Sequence, residues 1–334
     1  MLIETFDTDA NVLLIAEIGN NHEGDFARAV DMIAAAADSG AHAVKFQTIR
    51  PDRLVRPSET IRLSKLQSFA FTDDQFRELA DVAHRHDVQF LSTPFSLDAV
   101  DMLAPLVPAF KIASGDNDFF PLIDRAISHG KPIIVSMGFC DEADAKRIVT
   151  RIERSITDQQ STSCLALLHC VGAYPVPDDQ ANLKAITKLR SMFDYPIGYS
   201  DHTLGIDACV TAVALGACIV EKHFTLDKHL SDFRDHQLSA TPDELRELSE
   251  RIRLTRTMLG EGAPTLKRPA CEVGNATSLR RSITAARDLP AGHIVSDSDI
   301  QWQRPATGLR PGSEADVIGK PLEAAVATGE DLTP

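Results

Sequence analysis

His202 and His223 stand 21 residues apart, each just past a short apolar run. The runs are Tyr195–Tyr199 and Ala217–Glu221, and between them Gly205 to Gly216 carries apolar residues at helical spacing. The segment therefore reads as strand, helix, strand. In a parallel barrel such strand ends open on one face, the face where these folds do chemistry. Two neutral imidazoles converging from neighbouring strands can bind a divalent metal. Taken singly, each could equally be a polar loop residue.

The elements that would position them repeat along the first 260 residues. The pattern predicts strands at Val12–Ile18, Ala43–Phe46, Val88–Ser92, Ala109–Ile112, Pro132–Ser136, Leu165–Leu168, Tyr195–Tyr199 and Ala217–Glu221. Amphipathic stretches separate them, and a final helix, Pro242–Leu259, opens on a capping-box pair, Thr241 and Glu244. Eight strands alternating with eight helices predict an α/β fold, a (β/α)8 TIM barrel. A doubly wound sheet would more often carry a glycine-rich phosphate turn after its first strand. Here that turn reads Glu17-Ile-Gly-Asn-Asn-His-Glu-Gly24 and does not match. The connection from Thr48 to Thr72, with Arg62 and Lys65 inside it, reads as a long loop, either a lid or surface decoration. Residues 1–262 are assigned to the barrel, 263–278 to a linker without periodicity, and 279–334 to a small β or irregular module. A module of that size is marginal alone and is expected to pack on something.

All eight predicted strand ends carry polar groups. Lys45 and Lys111 sit inside apolar strands, and with the hydroxyls of Thr93, Ser114, Ser136 and Ser200 they form a plausible phosphate and carboxylate cradle. A buried lysine without an anion is costly. The structural alternative for Lys45 is an ion pair with Glu17 on the neighbouring strand. Either lysine could also form a Schiff base with a carbonyl substrate. Asp116, Tyr174 and Asp235 could hold sugar hydroxyls.

Composition narrows the class. The chain has 334 residues, 43% of them hydrophobic, and a net charge of −14. The charge argues against a nucleic-acid partner. No apolar run reaches the ~18 residues of a membrane span. The first ten residues lack a basic start and an apolar core, so no secretory signal is expected. Six scattered cysteines without a C-x-x-C pattern suit a reducing cytoplasm.

The motifs together resemble the sialic acid synthase family. They are Ile15-Ala-Glu-Ile-Gly-Asn-Asn-His-Glu-Gly24, Ala43-Val-Lys-Phe-Gln-Thr48, Leu91-Ser-Thr-Pro-Phe95, Lys111-Ile-Ala-Ser-Gly-Asp116, Leu168-His-Cys170 with Tyr174-Pro175, Ser200-Asp-His-Thr203 and Glu221-Lys-His-Phe-Thr225. The tail, with Arg281-Ser-Ile283, Gly292 and Arg304-Pro305, resembles that family's antifreeze-like (SAF, β-clip) domain. The resemblance implies condensation of phosphoenolpyruvate with an N-acylated hexose to give a 2-keto acid and phosphate. It implies that His202 and His223 bind Mn²⁺, with Mg²⁺ or Co²⁺ as alternatives. Lys45, Thr93, Lys111, Ser114, Ser136 and Ser200 would bind phosphoenolpyruvate, and Glu17 would act beside the reacting carbons. Gln47, Asp116, Tyr174 and Asp235 would face the acceptor sugar. Arg304 would reach from the tail of one subunit into its partner's barrel, in a domain-swapped homodimer.

Four departures from the family pattern fall on the acceptor side or the tail. Val171-Gly172 stand where members that make N-acetylneuraminate carry Thr-Asn, and Asp116 stands for the usual Glu. Phe233-Arg-Asp-His236 replaces Gly-Pro-Asp-His, and Arg304-Pro-Ala-Thr-Gly308 replaces Arg-Pro-Gly-x-Gly. The acceptor could thus be a legionaminate- or pseudaminate-type precursor or another aldose. Arg234 leaves room for an acidic or phosphorylated one. Two further readings compete: a metal- or Schiff-base-dependent aldolase with a pyruvate-like donor, and a non-catalytic sugar-binding protein.

Overall fold

The computed structural model describes residues 1–156, 165–260 and 266–333. Cys164, the first residues of the expected linker (263–265) and Pro334 lie outside them. The chain divides into two compact units, Met1–Glu261 and Gly262–Pro334.

The first unit holds eight parallel strands: β1 Leu13–Gly19, β2 Ala43–Thr48, β3 Gln89–Pro94, β4 Phe110–Ile112, β5 Ile133–Ser136, β6 Leu165–Cys170, β7 Ile197–Asp201 and β8 Ile219–His223. Hydrogen-bonded ladders run from β3 through β2, β1, β8, β7, β6 and β5 to β4. Since β3 and β4 lie side by side, the ring is nearly closed. Each predicted strand is present. Several run further than expected, so His223 is the last residue of β8, paired with Glu17 of β1, and not a loop residue.

Period-two alternation sorts each strand into two faces. Leu14, Ala16 and Ile18 join the apolar layer between strands and helices. Leu13 and Ile15 join a separate cluster with Ala43, Leu91, Ala109, Ile134, Ala166, Leu168 and Ile219, which fills the barrel. Met1 and Ile3 belong to this inner cluster; they come from a short N-terminal hairpin, Leu2–Ile3 with Phe6–Asp7. The next inward residue is polar on the other strands and Cys170 on β6, and these side chains build the site.

The segment from Thr48 to Thr72 is not a plain loop: it forms helices at Pro51–Leu54 and Thr60–Phe69. In the second of these only Phe69 is buried, so the sequence has no apolar stripe to announce it. Gly24, at φ +82, lies under that helix; a Cβ there would come within 2.1 Å of the Ser68 carbonyl oxygen. Beside it His22 is buried and stacked on Phe71, with ring centroids 4.2 Å apart. Its Nδ1 accepts a hydrogen bond from the Gly24 amide at 3.0 Å. Burial, then the Arg28 charge, depresses the His22 pKa to about 4. Below its unfolded value near 6.5 the unfolded chain binds the proton more readily, so stability is lost as pH falls from about 6.5 towards 4. The loss should reach about 3 kcal/mol. Urea unfolding across that range is expected to show it, and His22→Asn, which keeps an acceptor for Gly24, should flatten the slope.

The second unit pairs β9 Ser282–Ala285 with β10 Ile300–Gln303, antiparallel, over a core that includes Ile283, Leu289, Val295, Leu322 and Leu332. Part of the expected linker is helical, at Val273–Leu279. None of that helix is buried, which is why no periodicity reveals it. No helix among the described residues is long and apolar enough to cross a membrane.

Candidate active site

The inward polar residues surround a cavity of about 760 Å³, a volume typical of small-molecule sites. At its centre two lysines meet two carboxylates. Lys45 Nζ lies 2.7 Å from Glu17 Oε2 and 3.7 Å from Glu221 Oε2, and it donates to Thr93 Oγ1 at 3.1 Å. The expected Lys45–Glu17 ion pair therefore exists, inside the cavity. Lys111 Nζ donates to Ser136 Oγ at 2.7 Å and lies 3.8 Å from Glu221 Oε1, which also accepts from Ser200 Oγ at 2.9 Å. Gln47 donates to Glu17 Oε1 at 3.0 Å and is itself held by Asn20 at 2.9 Å.

These four groups differ electrostatically. Burial raises the Glu17 pKa, and Lys45 offsets this only in part. Glu221 is equally buried, yet Lys111 and Lys45 together hold it below the usual carboxylate range. Burial opposes the charge on Lys45, but Glu17 and Glu221 keep its pKa high. Lys111 has weaker compensation, and burial draws its pKa down.

The imidazoles stand beside this cluster. The His202 and His223 ring centroids are 5.4 Å apart, and Tyr174 lies 4.0 Å from His202. His202 Nδ1 meets the Val171 carbonyl at 2.8 Å. If that nitrogen carries the proton, the Nε2 lone pair is free. His223 Nδ1 is buried and has no hydrogen-bond partner among the described residues. Burial is the largest cause that drives the His223 pKa well down, and it keeps that ring neutral. Two imidazoles with available lone pairs fit a divalent cation. Among the described residues no group of three or more His, Cys, Asp or Glu is arranged to hold a metal ion, so the remaining coordination positions would fall to water or substrate.

The cavity lining includes Glu17, Lys45, Gln47, Thr93, Lys111, Ser114, Ser136, Tyr174, Ser200, His202, His223 and Asp235. Two expected residues are not among them. Asp116 ends a 3₁₀ turn, Ser114–Asp116; at about 120° per residue that turn sends Asp116 away from the direction of Ser114. Arg304 lies exposed in the second unit, just past β10. Glu221 was missed as a site residue. Its signal was its position two residues before His223, on the same face of one strand. Arg62 and Lys65 of the Thr60–Phe69 helix also line the cavity, together with Arg234, which lies 4.7 Å over the Tyr174 ring.

Residues 32–264 match the NeuB family, and residues 280–334 match the SAF domain. The chain belongs to the NeuB family. Similar proteins span nearly its whole length. The N,N'-diacetyllegionaminic acid synthase of Legionella pneumophila is 36% identical, covering 96% of this chain and 92% of that protein. The pseudaminic acid synthase of Campylobacter jejuni is 32% identical, covering 99% and 98%. Among solved structures, an N-acetylneuraminic acid synthetase from Leptospira borgpetersenii, crystallised with citrate, superposes with a TM-score of 0.74 at 34% identity. That match covers 79% of this chain and 90% of the other. This NeuB-family protein is thus an enzyme of the sialic and nonulosonic acid synthase type, a transferase built on a TIM barrel with a C-terminal SAF domain.

Proposed function

We propose that this chain condenses phosphoenolpyruvate with an N-acylated hexose, giving a nonulosonic acid and phosphate. The observation that carries the reading is one cavity in which two lysines and their hydroxyl partners adjoin a pair of imidazoles. Lys45 and Lys111, with Thr93, Ser114, Ser136 and Ser200, hold the donor's phosphate and carboxylate. The acceptor lies against Gln47, Tyr174 and Asp235. His202 and His223 hold a divalent ion, Mn²⁺ before Mg²⁺ or Co²⁺, which when bound supplies Lewis acidity to the aldehyde oxygen. The donor's enol carbon bonds to the aldehyde carbon, and positive charge develops at the donor's C2. Glu17 stabilises that charge. Water adds at C2, Glu17 takes up its proton, and collapse of the adduct breaks the bond to phosphate. Its raised pKa makes it a stronger base than an ordinary carboxylate. Holding both substrates on rigid strand ends supplies much of the rate.

The reading extends to a domain-swapped homodimer in the cytoplasm, with Arg304 reaching the acceptor in the partner's barrel. Free cysteines among the described residues suit that compartment.

Phosphate release from phosphoenolpyruvate with Mn²⁺ and a panel of aldoses tests the core claim. No release above background with any aldose would falsify it. The lowered Lys111 pKa favours one competitor, a Schiff-base aldolase. Borohydride trapping of pyruvate on Lys111 would establish that reading instead. If Lys111 binds the donor, kcat/KM for phosphoenolpyruvate should fall with rising pH before the ordinary lysine range is reached. Lys111→Arg should move that limb to higher pH, as a pH–rate profile can measure.

A further inference from the structure

Phe139 follows β5 with a φ of +61 and a side chain that is 73% exposed, unusual for so large an apolar group. Its ring covers Gly172 closely: a Cβ there would fall 2.1 Å from Phe139 Cζ. A side chain at position 172, such as the Asn of the family pattern, would require the Phe139 ring to move. Phe139, Gly172 and Cys170 line the main cavity and also a second one of about 620 Å³. The second cavity is bordered by Met137, Ala145, Ala185 and Leu189. Among the described residues its one lysine, Lys188, pairs with Glu142 at 3.0 Å, and Asp141 adds a second carboxylate, so the chamber offers nothing to attract an anion. The wall also adjoins the imidazoles, since Val171 beside Gly172 holds His202 through its carbonyl.

We infer that this side chamber receives an apolar substituent of the acceptor, an N-acyl chain longer than acetyl, and that Phe139 and Gly172 form the wall that sets this specificity. The inference rests on the acceptor being the N-acylated hexose proposed above. With no side chain at Gly172, the Phe139 ring itself forms this part of the wall. The exposed Phe139 ring offers the acyl chain a surface to cover.

The test measures phosphate release from phosphoenolpyruvate with Mn²⁺ and hexosamines carrying N-acetyl, N-butanoyl or N-hexanoyl groups. The wild-type kcat/KM for the butanoyl acceptor should at least equal that for the acetyl one. Each methylene buried in the chamber is worth about fourfold. Ala185→Phe, which fills the chamber, should lower the butanoyl-to-acetyl ratio about tenfold. Phe139→Ala, a truncation at an exposed position, should shift the same ratio at least threefold. A wild-type enzyme that discriminates against butanoyl tenfold or more overturns the inference. So does a ratio that neither variant moves. No release with any aldose removes the synthase reading along with it, whereas release blind to acyl length removes this inference alone.

Discussion

His223→Ala is expected to lower kcat/KM for phosphate release on the order of 10³-fold, and His202→Ala by a similar factor. The two imidazoles are the ligands this chain would contribute, so losing either halves the protein's hold on the ion. A bound cation contributes several kcal/mol to a developing oxyanion, which corresponds to about that rate. The same variants should bind Mn²⁺ at least tenfold more weakly in calorimetry, a readout independent of turnover. Cys170 and Val171 border His202, so each variant should also be checked for an unchanged fold by circular dichroism. Wild-type metal affinity with wild-type turnover in either variant would remove the pair from the mechanism.

The second large effect concerns stability. Lys222 and Asp201 are fully buried and 2.7 Å apart, behind the cavity and between the two histidine-bearing strands. Asp201 also accepts from Tyr199 Oη at 2.9 Å and the Thr203 amide at 2.8 Å, and Lys222 donates to the Thr203 carbonyl at 2.7 Å. Removing one partner strands a buried charge, at a cost of about 3–5 kcal/mol. Lys222→Met should show that loss in urea unfolding, and Asp201→Asn added to it should recover part. Because Lys222 pairs in register with Asp201, the contact also fixes the neighbouring strand ends that carry His202 and His223. Lys222→Met is therefore expected to lower kcat as well. A destabilised variant with unchanged kcat would confine the pair to a purely structural role.

The alternation Glu221, Lys222, His223 shows how far the sequence could be read. Strand and helix periodicity located all eight barrel strands, because apolar cores on both faces leave a strong signal. It did not say which of three adjacent ionisable residues faced the cavity. Period two, counted back from His223, would have placed Glu221 inside with the lysines and Lys222 outside with Asp201. Asp116 does not line the cavity, and periodicity could not show this because a 3₁₀ turn follows neither period. The Thr60–Phe69 helix was invisible because it buries little more than Phe69, so nothing in its pattern marks a face. The motif resemblance supplied chemistry that periodicity could not, since an imidazole pair alone does not specify a reaction.

The central cluster has a thermodynamic consequence. Lys45 and Lys111 are balanced by Glu17 and Glu221, so on its own the site is close to electrically neutral when all four are charged. A donor bearing a phosphate and a carboxylate cannot enter that arrangement without adding several negative charges to a dry interior. Lys111, whose pKa burial draws down, is the group best able to answer by gaining a proton. Ligand capture in this barrel is thus also proton capture, and the donor's apparent affinity is tied to the proton activity of the surrounding solution.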